Sequence, residues 1–237
     1  MIKQAIIPLA GLGTRLLPFT TIIPKELLPI NGKTGIEYII DECIEAGIKE
    51  IIFVISKKKE MIKHYFYKDN FYKKVIKNKK DKRIEFEYKK IKKYRKMIKF
   101  VYQNIPKGTG DAVLKCMKYI KGNHFIMMFP DDLIVKKINK RNFIIKDVIE
   151  KPSINSAPSN YAVIGRYVLP KKIFKILEKQ KPGKNGEIHI TDSIRSLIKE
   201  NTTFIGHKFK GKYLDCGTMN GYIKSSIEIS KLWNYAW

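Results

Sequence analysis

Apolar residues along this chain follow two rhythms. Apolar stretches at residues 5–9 and 51–55, and largely apolar ones at 100–103 and 124–129, predict strands buried on both faces. Between them, Ile36, Ile39, Ile40, Cys43 and Ile44 recur at helical spacing and predict a helix over 35–46, with Gly47 as its C-cap. A strand, a loop, a helix and a second strand in that order imply a parallel sheet with a right-handed crossover. Further helices are expected over 112–119, 173–177, 193–199 and 220–232. Further strands are expected at 161–169, after a turn at 156–160, and at 204–209. A loop is expected at 183–186, and Thr191-Asp192 reads as the cap of the helix from Ser193. The fold class that follows is single-domain α/β: a Rossmann-like, mostly parallel twisted sheet with helices on both faces, spanning 1–237.

Composition narrows this. At 237 residues and 44% hydrophobic, the chain is long enough for a sizeable core. It lacks an apolar run of about 18 residues that could span a bilayer, and Met1-Ile2-Lys3-Gln4 runs straight into a strand, so no membrane partner and no leader are expected. Three scattered cysteines without ligand spacing argue against zinc and fit a reducing, cytoplasmic setting. Cys43 and Cys116 read as inert core thiols. His64, His124, His189 and His207 are isolated and read as structural or surface residues.

The net charge of +26 invites a nucleic-acid reading. The lysines are spread along the chain, however, together with an excess of Ile, Asn and Tyr, which reads as a compositional bias with a solvated Lys surface. Residues 57–99 carry the densest basic runs, interleaved with Tyr65, Tyr67, Tyr72, Tyr88 and Tyr94. Such interleaving can bind single strands. A charged surface excursion of one or two helices is the preferred expectation, and nucleic acid is not counted among the partners.

Candidate chemistry lies at strand ends. After residues 5–9 comes Ala10-Gly11-Leu12-Gly13-Thr14-Arg15, where two glycines let backbone N–H groups approach a ligand, and Arg15 and Lys25 add fixed positive charge. A short polyanion, above all a nucleotide, suits such a loop. It is neither a P-loop, which needs Gly-Lys-Ser/Thr, nor the dinucleotide fingerprint, which needs a third Gly where Leu16 stands. A second Gly-rich turn, Lys107-Gly108-Thr109-Gly110-Asp111, opens a helix. Asp131 and Asp132 follow Pro130 at a strand end, where a hard oxygen ligand suits Mg²⁺.

Residues GLGTR followed by IPKELLPI, then KGTGDAV, PDD, VIEKP, APSNYAVIGRYVL, GEIHITD and DCGTMNGY, make the chain resemble the bacterial sugar nucleotidyltransferases over nearly its whole length. The match is strongest to those that join UTP and glucose 1-phosphate into UDP-glucose. The resemblance implies the nucleotide-diphospho-sugar transferase fold, UTP and glucose 1-phosphate as substrates, and Mg²⁺ as cofactor. It implies nucleotide contacts from Ala10, Gly11, Gly13, Thr14, Gln103 and Gly108, with Gln103 reading the uracil edge. It implies sugar contacts from Glu150 and Lys151, catalytic charges on Arg15, Lys25 and Lys151, and metal ligands at Asp131 and Asp215. Family members carry several tens more residues between PDD and EKP, with a helix, a strand and a sugar-contacting Gly. Here a short hairpin around 139–142 is expected within 133–150. A related transferase with another nucleotide or sugar, a fold without turnover and, more remotely, a basic nucleic-acid-binding protein stay open. So does an assembly of identical chains.

Overall fold

The computed structural model describes residues 1–183 and 186–232, with side chains for all of these except 136–141. In chain order, β1 (Gln4–Pro8) leads to a small hairpin, β2 (Pro29–Ile30) and β3 (Lys33–Thr34), then to α1 (Gly35–Glu45) and β4 (Glu50–Ile55). Three helices follow, α2 (Glu60–Tyr67), α3 (Asn70–Lys79) and α4 (Lys82–Arg95), and then β5 (Ile98–Tyr102), α5 (Thr109–Leu114) and β6 (His124–Met128). The remainder is β7 (Asp132–Ile145), β8 (Arg166–Pro170), α6 (Ile173–Lys179), α7 (Ile190–Lys199), β9 (Phe204–Asp215) and α8 (Met219–Ser230).

The central sheet has the order β5-β4-β1-β6-β8 and is parallel except where β8 runs against β6. Successive side chains of a strand point to opposite faces, and here both faces are covered. Ala5, Ile7 and Leu9 pack with Ile36, Ile39 and Ile40 of α1 and with Ile62 and Phe66 of α2. Ile6, Ile52 and Val54 pack on the other face with Ala112 and Val113 of α5 and Phe174 of α6. Each buried Ile, Leu, Val or Phe side chain among these contributes roughly 1.5–3 kcal/mol by leaving water. The chain runs β1 to β4 to β5 on one side of the sheet and then crosses to β6 on the other. That reversal opens a crevice at the carboxyl ends of β1 and β6, where open α/β sheets take ligands.

Several expectations are corrected. No hairpin interrupts 133–150: β7 is one continuous strand, paired antiparallel with β9 from Asp132↔Asp215 to Ile145↔Phe204, with two register irregularities. The ladder along β9 satisfies the backbone that a turn would have had to resolve, and it extends the expected strand at 204–209 to Asp215. Residues 57–99 form three helices instead of one or two. α2 and α4 are core elements, because Ile62, Phe66, Ile91 and Tyr94 are buried, whereas α3 buries none of its residues. The tyrosines here are committed within the protein. Tyr65, Tyr88 and Tyr94 donate to Glu37, Asp69 and Asp41, and Tyr72 stacks on Tyr88 with ring centres 5.7 Å apart.

The strand expected at 161–169 begins only at Arg166, because residues 161–163 lie exposed with no sheet partner. α5 stops at Leu114 and a separate 3₁₀ turn covers Met117–Tyr119. α7 starts at Ile190, three residues ahead of the expected Ser193. Thr191 is therefore inside the helix, where its hydroxyl serves Glu150 and caps nothing. Residues 184 and 185 of the expected loop lie outside the described residues.

Candidate active site

Pairing of β7 with β9 sets Asp132 opposite Asp215, and the Cys216 amide donates to the Asp131 carbonyl at 2.8 Å. Two aspartates 84 positions apart in sequence therefore meet at the crevice. Gly217 makes room for them. A Cβ there would stand 2.7 Å from Asp131 Oδ2, 2.9 Å from Asp215 Oδ1 and 2.7 Å from the Arg15 guanidinium. Lys25 Nζ donates to Asp131 Oδ2 at 2.6 Å, and Arg15 lies 3.7 Å from the same oxygen. Burial pushes the Asp131 carboxyl up, but the Lys25 and Arg15 charges outweigh it and hold the group below the usual carboxylate range. Asp132 is moved the other way, chiefly by burial and also by the charge of Asp131. Its oxygens accept from the Gly165 amide and the Tyr213 hydroxyl, so it is a structural brace.

Two arrangements hold this cluster in place. Lys25 follows Pro24 in a 3₁₀ turn whose next residue, Glu26, is buried against Lys59 with Nζ–O distances of 2.7 and 2.9 Å. Arg166 spans the turn after β6. It donates to the carbonyls of Phe129, Asp132 and Gly165 and takes both carboxylate oxygens of Glu42.

Beside this cluster runs the loop after β1. Gly13 has φ +71°, in the left-handed region that an L side chain disfavours, while the space beside Gly11 is open to 4 Å. Ala10 is buried, Gly11 and Thr14 are exposed, and Leu16 anchors the loop in the interior.

A second cluster sits at the end of β5. Gln103 is 3% exposed, and its Nε2 donates to the Gly108 carbonyl at 3.0 Å and to Asp111 Oδ2 at 2.7 Å. Gly108 has φ +94°, and the position of its missing Cβ falls 2.5 Å from the Ile188 carbonyl oxygen. Protein backbone crossing over it is thus one reason for a glycine here. Ser56, one residue past β4, is buried with a hydroxyl that has no partner among the described residues.

Glu150 and Lys151 form a third group. Glu150 accepts from Thr191 Oγ1, and Lys151, 84% exposed at φ +41°, lies 3.9 Å from Glu150. Among the described residues no contact links Lys151 to Asp131. The structure brings Arg15, Lys25, Asp131 and Asp215 together, puts Gln103 with Gly108, and leaves the sugar pair as a separate group. Sequence reasoning missed Asp111, Ser56, Gly217, Arg166 and the Glu26–Lys59 pair. Asp111, Gly217, Arg166 and Glu26 were inside motifs already singled out, whereas Lys59 carries no local signal.

The residues fit a hard divalent cation on the donor chemistry alone. Two carboxylates converge on a space that one Cβ would fill, with two cations beside them to complement a polyphosphate. Among the described residues there is no group of three or more His, Cys, Asp or Glu placed to hold a metal. Any ion here would therefore draw the rest of its coordination from ligand and water. No described helix is long and apolar enough to cross a membrane.

The nucleotidyl transferase family model matches residues 4–145 and 137–231, two pieces that meet within β7. The chain is similar to the UTP–glucose-1-phosphate uridylyltransferase of Bacillus subtilis, with 33% identity over 97% of this chain and 91% of that protein. That alignment runs over 270 positions against 237 residues, leaving at least 33 without a counterpart here. Among solved structures it is similar to a UTP-bound UGPase from Acinetobacter baumannii, with TM-score 0.87, 29% identity, and 99% of this chain and 95% of that one covered. It is also similar to a UDP-glucose pyrophosphorylase complexed with UDP-glucose, with TM-score 0.83, 33% identity, and 98% of this chain and all of that one covered. The chain belongs to the nucleotidyl transferase family, among the UTP–glucose-1-phosphate uridylyltransferases.

Proposed function

We propose that this chain transfers the uridylyl group of UTP to glucose 1-phosphate, releasing pyrophosphate and forming UDP-glucose. The observation that carries the proposal is the meeting of Asp131, Asp215, Lys25 and Arg15 beside the glycine loop at the sheet's switch point. In the reaction, a phosphate oxygen of glucose 1-phosphate attacks the α-phosphorus of UTP in line. The bond from that phosphorus to the bridging oxygen breaks, and its electron pair leaves with pyrophosphate. The nucleophile is already anionic at neutral pH, so no general base is needed, and catalysis consists of positioning and charge neutralisation.

On this reading the backbone of Ala10, Gly11, Gly13 and Thr14 cradles the phosphates, and Arg15 and Lys25 neutralise the leaving pyrophosphate. Gln103 reads the uracil, with Gly108 beneath the nucleoside. Glu150 accepts from sugar hydroxyls, and Lys151 aligns the sugar phosphate. Asp131 and Asp215 would hold Mg²⁺, which when bound supplies charge neutralisation at the phosphates undergoing transfer. All 237 residues would act as one catalytic domain, working in the cytoplasm.

The deciding experiment is pyrophosphate release from UTP and glucose 1-phosphate with Mg²⁺, in wild type and Asp131→Ala. Turnover in the wild type that is lost in the variant supports the reading. A folded, UTP-binding wild type without pyrophosphate release would overturn it, and would mean that the 33 or more absent residues carried the sugar half.

A further inference from the structure

The Gln103 side chain is an amide, and an amide can usually present either its NH₂ or its carbonyl by a half-turn. Here that choice is removed. The two atoms facing its Nε2 are the Gly108 carbonyl oxygen at 3.0 Å and Asp111 Oδ2 at 2.7 Å, and both can only accept. A flipped amide would set its own oxygen against both of them. Asp111 is buried, lies in the first turn of α5, and has Lys115 Nζ 3.7 Å from its other oxygen as counter-charge. Both amide hydrogens are thus used inside the protein. The one polar atom left, Oε1, has no hydrogen-bond partner among the described residues, on a side chain 97% buried.

Its neighbour reinforces this. Backbone bonds from Leu9 to Val54 and from Gln103 to Ile55 carry the ladders past the strand ends, so Ser56 stands between Ala10 and Gln103. Its buried hydroxyl also lacks a partner among the described residues. A free amide oxygen and a buried hydroxyl without a partner, on one stretch of the sheet's carboxyl edge, mark a place where a ligand supplies hydrogen bonds.

We propose that Asp111 is a positioning residue that locks Gln103 as a hydrogen-bond acceptor, so that the site selects a nucleotide base with a ring N–H over one with a ring lone pair. The inference rests on the reading that this site takes UTP. Uracil N3–H can donate to Oε1, whereas N3 of cytosine carries a lone pair and would face it acceptor to acceptor. A site built around one such bond rejects the analogue that cannot make it, because the base then covers the acceptor and leaves it unpaired.

The test is equilibrium binding of UTP and of CTP, each with Mg²⁺, to wild type, Asp111→Asn, Asp111→Ala, Gln103→Leu and Asp111→Asn/Gln103→Leu. Wild type should prefer UTP. Either Asp111 variant should lower the UTP-to-CTP affinity ratio by about ten-fold or more, and Asp111→Asn should add nothing further on the Gln103→Leu background. In wild type saturated with UTP, both Gln103 side-chain NH₂ protons should stay protected from exchange, a readout that needs no Asp111 variant to fold. Equal losses for both nucleotides, an unchanged ratio, a shift that persists without Gln103, or an NH₂ that loses protection would each overturn the inference. A wild type that binds both nucleotides alike overturns it too. A wild type that prefers UTP yet releases no pyrophosphate overturns the transfer reading instead and leaves this one standing.

Discussion

Lys25 Nζ lies 2.6 Å from Asp131 Oδ2 and joins the loop after β1 to the turn after β6 across 106 positions of sequence. Both side chains are mostly buried, at 15% and 17% exposure, so solvent screens the pair little. Burial raises the Asp131 pKa and Lys25 more than reverses that, leaving it below its ordinary 3.8. A depressed carboxylate contributes stability that is present above pH 3.8 and lost as pH falls through the lower folded value. Lys25→Met should reverse the shift, because burial is then opposed only by a backbone hydrogen bond at Asp131 and by the Arg15 charge. The acid limb of the kcat profile should move up in pH. Unfolding should become easier by about 3–5 kcal/mol, the cost of leaving a buried charge without its partner. A pH–rate series and urea melts on the variant measure both, and an acid limb left at its wild-type position would contradict this account.

Gly217→Ala separates site from fold. The added Cβ would stand under 3.0 Å from Asp131, Asp215 and Arg15, but these neighbours are side-chain ends, and Gly217 has no positive φ to strain. The backbone can therefore keep its place while the two carboxylates are pushed apart. We expect kcat to fall by about 10²–10³, the range for losing one preorganised charge contact, with Tm close to wild type. Unchanged turnover in the variant would remove Asp131 and Asp215 from the site.

Much of this architecture was legible in the chain because strand burial and helical spacing are local signals. The runs at 5–9 and 51–55 are apolar at every position because both sheet faces are covered, and that pattern alone implies a parallel sheet. The continuity of β7 was not legible. Asn139, Lys140, Arg141 and Asn142 read as turn residues, but pairing with β9 65 residues later decides their conformation. Likewise the basic runs of residues 57–99 read as a surface excursion, although the spacing of four between Ile62 and Phe66 puts both on the face of α2 that meets the core. Of the site, the residues at strand ends could be found from motifs. Lys59 could not, and Arg166 lay inside a motif that did not show its role, since what each does depends on a partner in a distant segment, Glu26 and Glu42.

Lys59 and Glu26 are 8% and 1% exposed, a closed ion pair directly behind Lys25. Burial lowers the Lys59 pKa and Glu26 opposes that. Removing one partner strands the other, so Lys59→Met should destabilise the fold by about 3–5 kcal/mol. The double change Lys59→Met with Glu26→Leu should recover most of that loss, because a well-packed apolar pair can replace a buried ion pair at little cost. Urea denaturation of wild type and the two variants tests it. A double variant no more stable than the single one would mean that the pair contributes more than charge balance.

Lys151 gives the sharpest test of the sugar side, because its structural contribution is small. Its side chain is 84% exposed and its described ion pair, to Glu150, spans 3.9 Å, so an exposed pair of this kind adds little to stability. Lys151 also holds φ +41°, which disfavours any L residue there, alanine as much as lysine. Lys151→Ala should therefore leave the melting temperature within a degree or two of wild type, as surface substitutions usually do. If Lys151 aligns the attacking sugar phosphate, its loss should lower kcat by about 10²–10³, or about 2.7–4 kcal/mol, while UTP affinity measured by calorimetry stays the same. A raised KM for glucose 1-phosphate with kcat intact would instead assign Lys151 to ground-state binding alone. Wild-type values of both constants would place the phosphate-holding charge elsewhere, with Arg15 as the exposed cation of the aspartate cluster.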